Sequence, residues 1–247
     1  MIIMTFNIQN KKNEDIKEKV DNIFNILDKE KIDIIGMQEV APQYYRKLEE
    51  NKKYNITGNY RLGKSIFCKI FSYIDSYNEA TPIITKNKIL YSKTIKLPWF
   101  PPITEIKKAL FKYKSITPRI VTIIKIKKDN QIITILNTHL EKRIELLQKK
   151  QLKNILSIIK KINTPFILMG DFNMKETNQF FFQFCEEISK LGGRKVSIEG
   201  KTLKNNKKDN LSIDHIFYRS FLVNEVTILD NEISDHYAVK VELNLSR

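Results

Sequence analysis

Three short stretches of this 247-residue sequence set acidic, amide or imidazole groups at or beside the end of an apolar run: Gly170-Asp171-Phe172-Asn173, Ile213-Asp214-His215-Ile216-Phe217 and Ser234-Asp235-His236. A packed strand end holds such groups rigidly, and rigid carboxylates and imidazoles around a divalent metal and a phosphate are what phosphate-ester hydrolysis requires. Asp171 and Asn173 stand two apart, so in an extended segment both point to one side. One can then orient or deprotonate a water while the amide of the other donates to a phosphoryl oxygen. The same pair can form an Asx turn, and the two uses are compatible. His236 titrates near neutrality and suits general base or acid work, with Asp214 accepting its other ring proton and Asp235 left to contact a metal. His215 follows Asp214 along a strand, faces the opposite way and reads as structural.

Three further strand-like runs end in polar groups. Asn7 closes Thr5-Phe6-Asn7, Glu39 follows Met37-Gln38, and His139 closes Asn137-Thr138-His139. A carboxylate at the end of an apolar strand is costly when unpaired, so Glu39 needs a cation, either a metal ion or one of the many lysines. Asn7 offers a neutral carbonyl oxygen that suits a hard cation such as Mg²⁺, although alone it would serve equally well in a turn or a helix cap.

These six elements, in this order from residue 5 to residue 240, resemble the endonuclease/exonuclease/phosphatase superfamily. That superfamily includes deoxyribonuclease I, abasic-site endonucleases, tyrosyl-DNA phosphodiesterase 2, deadenylases, sphingomyelinases and inositol polyphosphate phosphatases. The resemblance implies a four-layer α/β sandwich, two mixed β-sheets face to face with helices outside. It implies one or two Mg²⁺ or Mn²⁺ ions held by Asn7, Glu39 and Asp235, and a catalytic set of His139, Asp171, Asn173, Asp214 and His236. His139 resembles the histidine of the deoxyribonuclease I and sphingomyelinase branches, which contacts the phosphate or protonates the leaving oxygen, and Glu79 could orient it. Abasic-site endonucleases have a tyrosine there, and the longer basic motifs of inositol-lipid phosphatases are missing. The expected activity is that of a nuclease or related DNA or RNA phosphodiesterase. The alternatives are a sphingomyelinase-type phospholipid phosphodiesterase or a phosphomonoesterase on the same site.

The elements that must position these groups follow from hydrophobic periodicity. Strands are predicted at Ile2 to Ile8, Ile32 to Met37, Tyr54 to Tyr60, Ser65 to Tyr73, Thr81 to Ile84, Ile89 to Leu97, Ile120 to Lys127, Gln131 to Thr138, Phe166 to Met169, Ser212 to Tyr218 and Ala238 to Leu243. Helices are predicted at about Asn13 to Lys31, Gln43 to Asn51 and Ile144 to Ile162. Strands outnumber helices, which fits mixed sheets covered by helices better than strict alternation.

Composition bounds the rest. With 42% hydrophobic and 29% charged residues the chain is globular in character, and one domain over residues 1–247 is expected. The sequence contains neither a membrane-length apolar run nor a basic start followed by a long apolar segment, so a cytoplasmic location is expected. Cys68 and Cys185 lie far apart and read as free thiols. A net charge of +15 points to a polyanionic partner such as nucleic acid. Yet only seven of the 43 basic residues are Arg, and a codon drift toward Lys, Asn and Ile would produce the same charge. Two stretches bear on substrate. Leu97 to Ser115 carries Trp99 and Phe100, able to stack on bases, dip into a membrane surface or pin a loop. Lys201 to Asp209 carries Lys201, Lys204, Lys207 and Lys208, able to track a phosphate backbone or simply to be solvated. Trp99, Lys204 and Lys207 are the candidate substrate contacts.

Overall fold

The computed structural model describes residues 1–11, 14–63, 78–100, 117–204 and 211–246. The predicted strand Ser65 to Tyr73, Lys207, Cys68 and most of the Leu97 to Ser115 insertion lie outside the described residues.

Chain order runs β1 (Ile2–Asn7), α1 (Ile16–Lys29), β2 (Ile34–Gln38), α2 (Pro42–Glu49), β3 (Asn55–Thr57), β4 (Ile83–Thr85), β5 (Ile89–Lys96), β6 (Ile120–Lys128) and β7 (Gln131–His139). It continues with α3 (Glu145–Ile159), β8 (Phe166–Asp171), α4 (Gln179–Lys190), β9 (Arg194–Lys195), β10 (Asp214–Arg219), β11 (Phe221–Leu229) and β12 (Ala238–Leu245). The described strands form two six-stranded sheets, ordered β11-β12-β1-β2-β4-β3 and β5-β6-β7-β8-β10-β9. Each sheet is mixed: β1 pairs in parallel with β2 and β7 with β8, across the helical crossovers α1 and α3, while the other pairs are antiparallel.

Period-2 alternation sorts the strand residues into layers. In β8, Ile167 and Met169 face the space between the sheets, where they meet Ile3, Ile34, Val239 and Val241 of the first sheet. Phe166 and Leu168 face outward onto Leu152 and Ile155 of α3 and Phe181, Phe184 and Ile188 of α4. On the other outer face α1 presents Val20, Ile23, Phe24 and Leu27, and α2 presents Tyr44, Tyr45 and Leu48, to Met4, Phe6 and Ile35. The result is helix, sheet, sheet, helix, the four-layer sandwich that the family resemblance implies. Helix α1 starts at Asp15, whose carboxylate accepts from the Glu18 amide.

Three elements escaped the sequence reading, the first of them the two-residue strand β9, too short to show a period. Helix α4 contains Phe180, Phe181 and Phe182 in succession, a run that blurs its period, but Asn178 caps it by accepting from the amides of Phe180 and Phe181. Strand β11 is an edge strand with a bulge between Val223 and Glu225, which breaks its alternation. The predicted strand Tyr54 to Tyr60 shrinks to the three residues of β3.

Beneath the site the sheets are joined by polar groups. Gln38 donates through Nε2 to Thr5 Oγ1 at 3.1 Å and to Asn137 Oδ1 at 2.7 Å, and Asn137 Nδ2 donates to the carbonyls of Met37 and Pro82 at 2.8 and 2.9 Å. Close approach also fixes Gly170: its φ is +148°, and a Cβ there would lie 2.0 Å from the Thr138 carbonyl oxygen.

Candidate active site

Neighbouring strands set three of the predicted groups in one row. His139 at the end of β7 is in register with Asp171 at the end of β8, and Asp214 at the start of antiparallel β10 is in register with Asp171 from the other side. From the facing sheet come Asn7, at the end of β1, and Glu39, just past β2. The loop before β12 delivers Asp235 and His236. Glu39 holds φ +58° and Asn173 φ +52°, left-handed backbone conformations that turn the chain sharply at the strand ends.

Asp171 is the hub. Its Oδ2 accepts from Asn7 Nδ2 at 3.0 Å and lies 3.6 Å from His139 Nε2 and 3.9 Å from His236 Nε2, while Oδ1 accepts from the Asn173 amide at 2.8 Å. His236 Nδ1 donates to Asp214 Oδ2 at 2.9 Å, the pairing expected from sequence. Asn7 Nδ2 also donates to Glu39 Oε1 at 3.0 Å, and its Oδ1 accepts from the Gln9 amide at 3.0 Å. The amide nitrogen of Asn7, rather than the expected oxygen, thus faces the carboxylates and bridges Glu39 to Asp171. Asn173 Nδ2 donates to the Leu140 carbonyl at 3.0 Å, which pins the loop and leaves a second N–H on the same nitrogen.

Burial and charge tune these groups. Burial, reinforced by the Asp214 charge, pushes the Asp171 carboxyl above the usual carboxylate range. For His236 burial opposes protonation, but the charge and hydrogen bond of Asp214, with Asp171 and Asp235, outweigh it and raise the imidazole. His139 goes the other way: burial, then the charges of Arg119 and Arg61, hold it well below its ordinary value and keep the ring neutral.

His139, Asp171, Asn173, Glu39, Asp235 and His236 line one cleft of about 350 Å³ together with Gln9, Arg61, Glu79, Thr117, Arg119, Lys142 and Arg143. Two triples, Glu39 with His139 and Asp171, and Asp171 with Asp214 and His236, bring their ligand atoms within 4.8 Å of one another. Asp235 lines the cleft but belongs to neither triple. The buried Asp214 Oδ1 has no hydrogen-bond partner. Carboxylate oxygens gathered in excess, one of them without a hydrogen-bond partner, fit a hard divalent ion.

Several candidates have other work. Glu79 pairs with Arg61 at 3.0 Å, not with His139. Lys204 pairs with Asp230 at 3.1 Å, donates to the Asn231 carbonyl and covers the Tyr237 ring, so it secures the loop that carries Asp235 and His236. Trp99 stacks edge-on against Phe100 with ring centroids 6.0 Å apart and is not among the described cleft-lining residues. His215 is structural as expected, donating through Nε2 to the Met174 carbonyl at 2.8 Å and packing 4.2 Å from Phe181. Sequence reasoning missed the supports of the last loop. Ser234 Oγ donates to the Asn7 carbonyl at 2.7 Å and accepts from the His236 amide, and Asn231 Oδ1 accepts from the amides of Ile233 and Ser234. The Asx-turn spacing of Asn231 was the available signal. Arg61, Arg119 and Arg143 were missed too, and nothing in the sequence sets them apart from the chain's other arginines.

A two-sheet α/β sandwich with carboxylates and imidazoles converging at one rim defines a class of phosphoester hydrolases. The sequence matches the model of the endonuclease/exonuclease/phosphatase family over residues 4–236, and the chain belongs to that family, whose members hydrolyse phosphate esters with a divalent metal. Solved structures share the fold. A mannosyl-6-phosphatase of Bacteroides thetaiotaomicron is 22% identical with a TM-score of 0.75, covering 99% of this chain and 100% of its own. The human Nocturnin catalytic domain with bound sulfate is 19% identical with a TM-score of 0.73, covering 100% and 94%. D. rerio TDP2 complexed with a single-strand DNA product is 16% identical with a TM-score of 0.71, covering 99% and 98%. No curated protein matches the sequence. Among the described residues no helix is long and apolar enough to cross a membrane.

Proposed function

We propose that this chain is a Mg²⁺- or Mn²⁺-dependent phosphodiesterase that cleaves nucleic acid. The observation that carries the reading is the hub at Asp171, one carboxylate shared by Asn7, His139 and His236 and flanked by Glu39 and Asp214. Glu39 and Asp235 would hold the ion, with Asn7 fixing Glu39 against Asp171. A divalent ion held by these residues would supply Lewis-acid polarisation of the phosphate. Asp171, already raised toward neutrality, receives the proton of the attacking water at Oδ2. His236, held cationic by Asp214, donates from Nε2 to a phosphoryl oxygen, neutral His139 and the second N–H of Asn173 donate to the oxygens that gain charge, and the leaving oxygen, as its bond to phosphorus breaks, takes up a proton from solvent in the cleft. The net charge of +15 supports a polyanionic substrate.

The test is a panel of plasmid DNA, single-stranded DNA, RNA, sphingomyelin and phosphomonoesters, with Mg²⁺, with Mn²⁺ and with chelator. Internal cleavage of a nucleic acid, lost in chelator, is expected. Asp171→Asn should lower kcat by a factor of about 10² to 10⁴ while the melting temperature holds. Near wild-type turnover by that variant would refute the mechanism, and release of terminal phosphate alone would replace the phosphodiesterase with a phosphomonoesterase.

A further inference from the structure

Helix α1 gives one position of its core-facing stripe to a charge. Lys19 lies with Val20, Ile23, Phe24 and Leu27 on the buried side of the helix, and its side chain is 5% exposed. A buried ammonium is costly unless its donors are used. Its Nζ donates to Glu14 Oε2 at 2.5 Å and to the Gln9 carbonyl at 2.8 Å, and lies 5.2 Å from the centre of the Tyr44 ring. Glu14 is fixed in turn, because the same oxygen accepts from the Tyr44 hydroxyl at 2.9 Å. Burial lowers the Lys19 pKa, and the hydrogen bond and charge of Glu14 oppose that fall.

The Gln9 carbonyl belongs to the turn just after β1, and that turn touches three residues of the site. The Gln9 amide donates to Asn7 Oδ1 at 3.0 Å, which leaves Asn7 Nδ2 facing Glu39 and Asp171. The Asn10 amide donates to Glu39 Oε2 at 3.2 Å, so that carboxylate is held at both oxygens. Gln9 Oε1 accepts from the Asp235 amide at 3.3 Å. Gln9 makes these contacts from a φ of +52°, a left-handed conformation that a glutamine keeps only where its surroundings over-determine it. The bond from Lys19 holds that peptide from beneath.

We infer that Lys19 and Gln9 form a positioning brace that sets Asn7, Glu39 and Asp235 for the divalent ion, with Lys19 acting through the Gln9 peptide. The inference rests on Glu39 and Asp235 as ion ligands and adds the residues that hold them in place. Lys19 is a positioning residue: it lies in the core and is not among the described cleft-lining residues.

Titration of the full chain with Mn²⁺, followed by the paramagnetic resonance signal of the free ion, tests the brace without turnover. Lys19→Met keeps the length of the side chain and removes its donors, and should raise the Mn²⁺ Kd by about 10- to 100-fold. The melting temperature of the metal-free variant should fall by less than about 4 °C, since methionine suits the apolar stripe and Glu14, 21% exposed, keeps its bond to Tyr44. Gln9→Ala, at a half-buried position, cuts the link to Asp235 and should weaken Mn²⁺ binding about tenfold. If Lys19→Met does not fold, Gln9→Ala decides. The Mg²⁺ needed for half-maximal hydrolysis of bis(4-nitrophenyl) phosphate should rise by the same factor as the Mn²⁺ Kd, with kcat at saturating ion changed less than about threefold. An unchanged Kd in the folded variants, or a loss of kcat that excess Mg²⁺ does not restore, would overturn the brace and leave the metal reading standing. An absence of Mn²⁺ binding by the wild-type protein would remove the metal reading, and the brace with it.

Discussion

His215 sits one residue from Asp214 and yet belongs to the core, because the strand turns successive side chains to opposite faces. Burial against Phe172 and Phe181 drives its pKa down to about 4 against the favourable hydrogen bond to Met174. Between the ordinary value of 6.5 and about 4, the unfolded chain takes up a proton at this ring that the folded chain refuses. The stability owed to the neutral ring is therefore whole above pH 6.5 and lost as the pH falls toward 4, amounting to up to about 3 kcal/mol. Urea denaturation at pH 7 and pH 4.5 should show a smaller acid-induced loss in His215→Gln than in the wild type; parallel losses would refute this account. The polar groups that meet at the cleft were legible in the sequence for the same reason that His215 could be set aside. Polar groups at the end of apolar runs are expensive unless used, and period 2 says which neighbours share a face. What could not be read was direction: nothing in Thr5-Phe6-Asn7 tells that the amide nitrogen of Asn7 turns to Glu39 and Asp171 while its oxygen is taken by Gln9.

Strands β7 and β8 show how an element sets the aim of a site. Their parallel pairing puts His139 opposite Asp171, and the approach is so close at Gly170 that any side chain would run into the Thr138 backbone. Gly170→Ala would have to open the pairing and would place alanine at a φ of +148°, at a cost of at least about 3 kcal/mol. Chemical denaturation measures that cost, and a loss below about 1 kcal/mol would show that the strands can part freely. Helices α1 and α3 were legible because each buries one stripe, and the central strands because both of their faces are buried, which makes them short continuous apolar runs. Helix α4 was not, since three consecutive phenylalanines point both inward and outward: Phe181 is buried and Phe182 is 59% exposed. Edge strand β11 was obscured by its bulge.

At the scale of the molecule, the cleft requires the two sheets to keep their relative placement, because Asn7 and Glu39 come from one and His139, Asp171 and Asp214 from the other. Apolar packing between the sheets is forgiving of small slides; a directional bond is not. The Gln38–Asn137 contact supplies direction, at 2.7 Å and fully buried. Asn137→Ala should cost about 2 to 4 kcal/mol, from the cavity and the unpaired carbonyls of Met37 and Pro82. A double-mutant cycle with Gln38→Ala should return a coupling of about 1 to 2 kcal/mol. Additive losses would mean that the contact does not pin the sheets. The four-layer arrangement was available through the family resemblance, whereas this polar staple was not, because Gln38 and Asn137 are 99 residues apart and, although each stands beside a site residue, nothing in the two motifs pairs them.

The strand order also dictates when the protein can become active during its synthesis. The second sheet is drawn from one continuous span, residues 89 to 219, and can pair as it leaves the ribosome. The first sheet lays β1 against β12, joining Ile2 to Glu242, so β1 must wait for a partner made long after it. A nascent chain stalled before β12 carries most of the sandwich and lacks the strand that follows His236, so the cleft cannot be complete until β12 is in place.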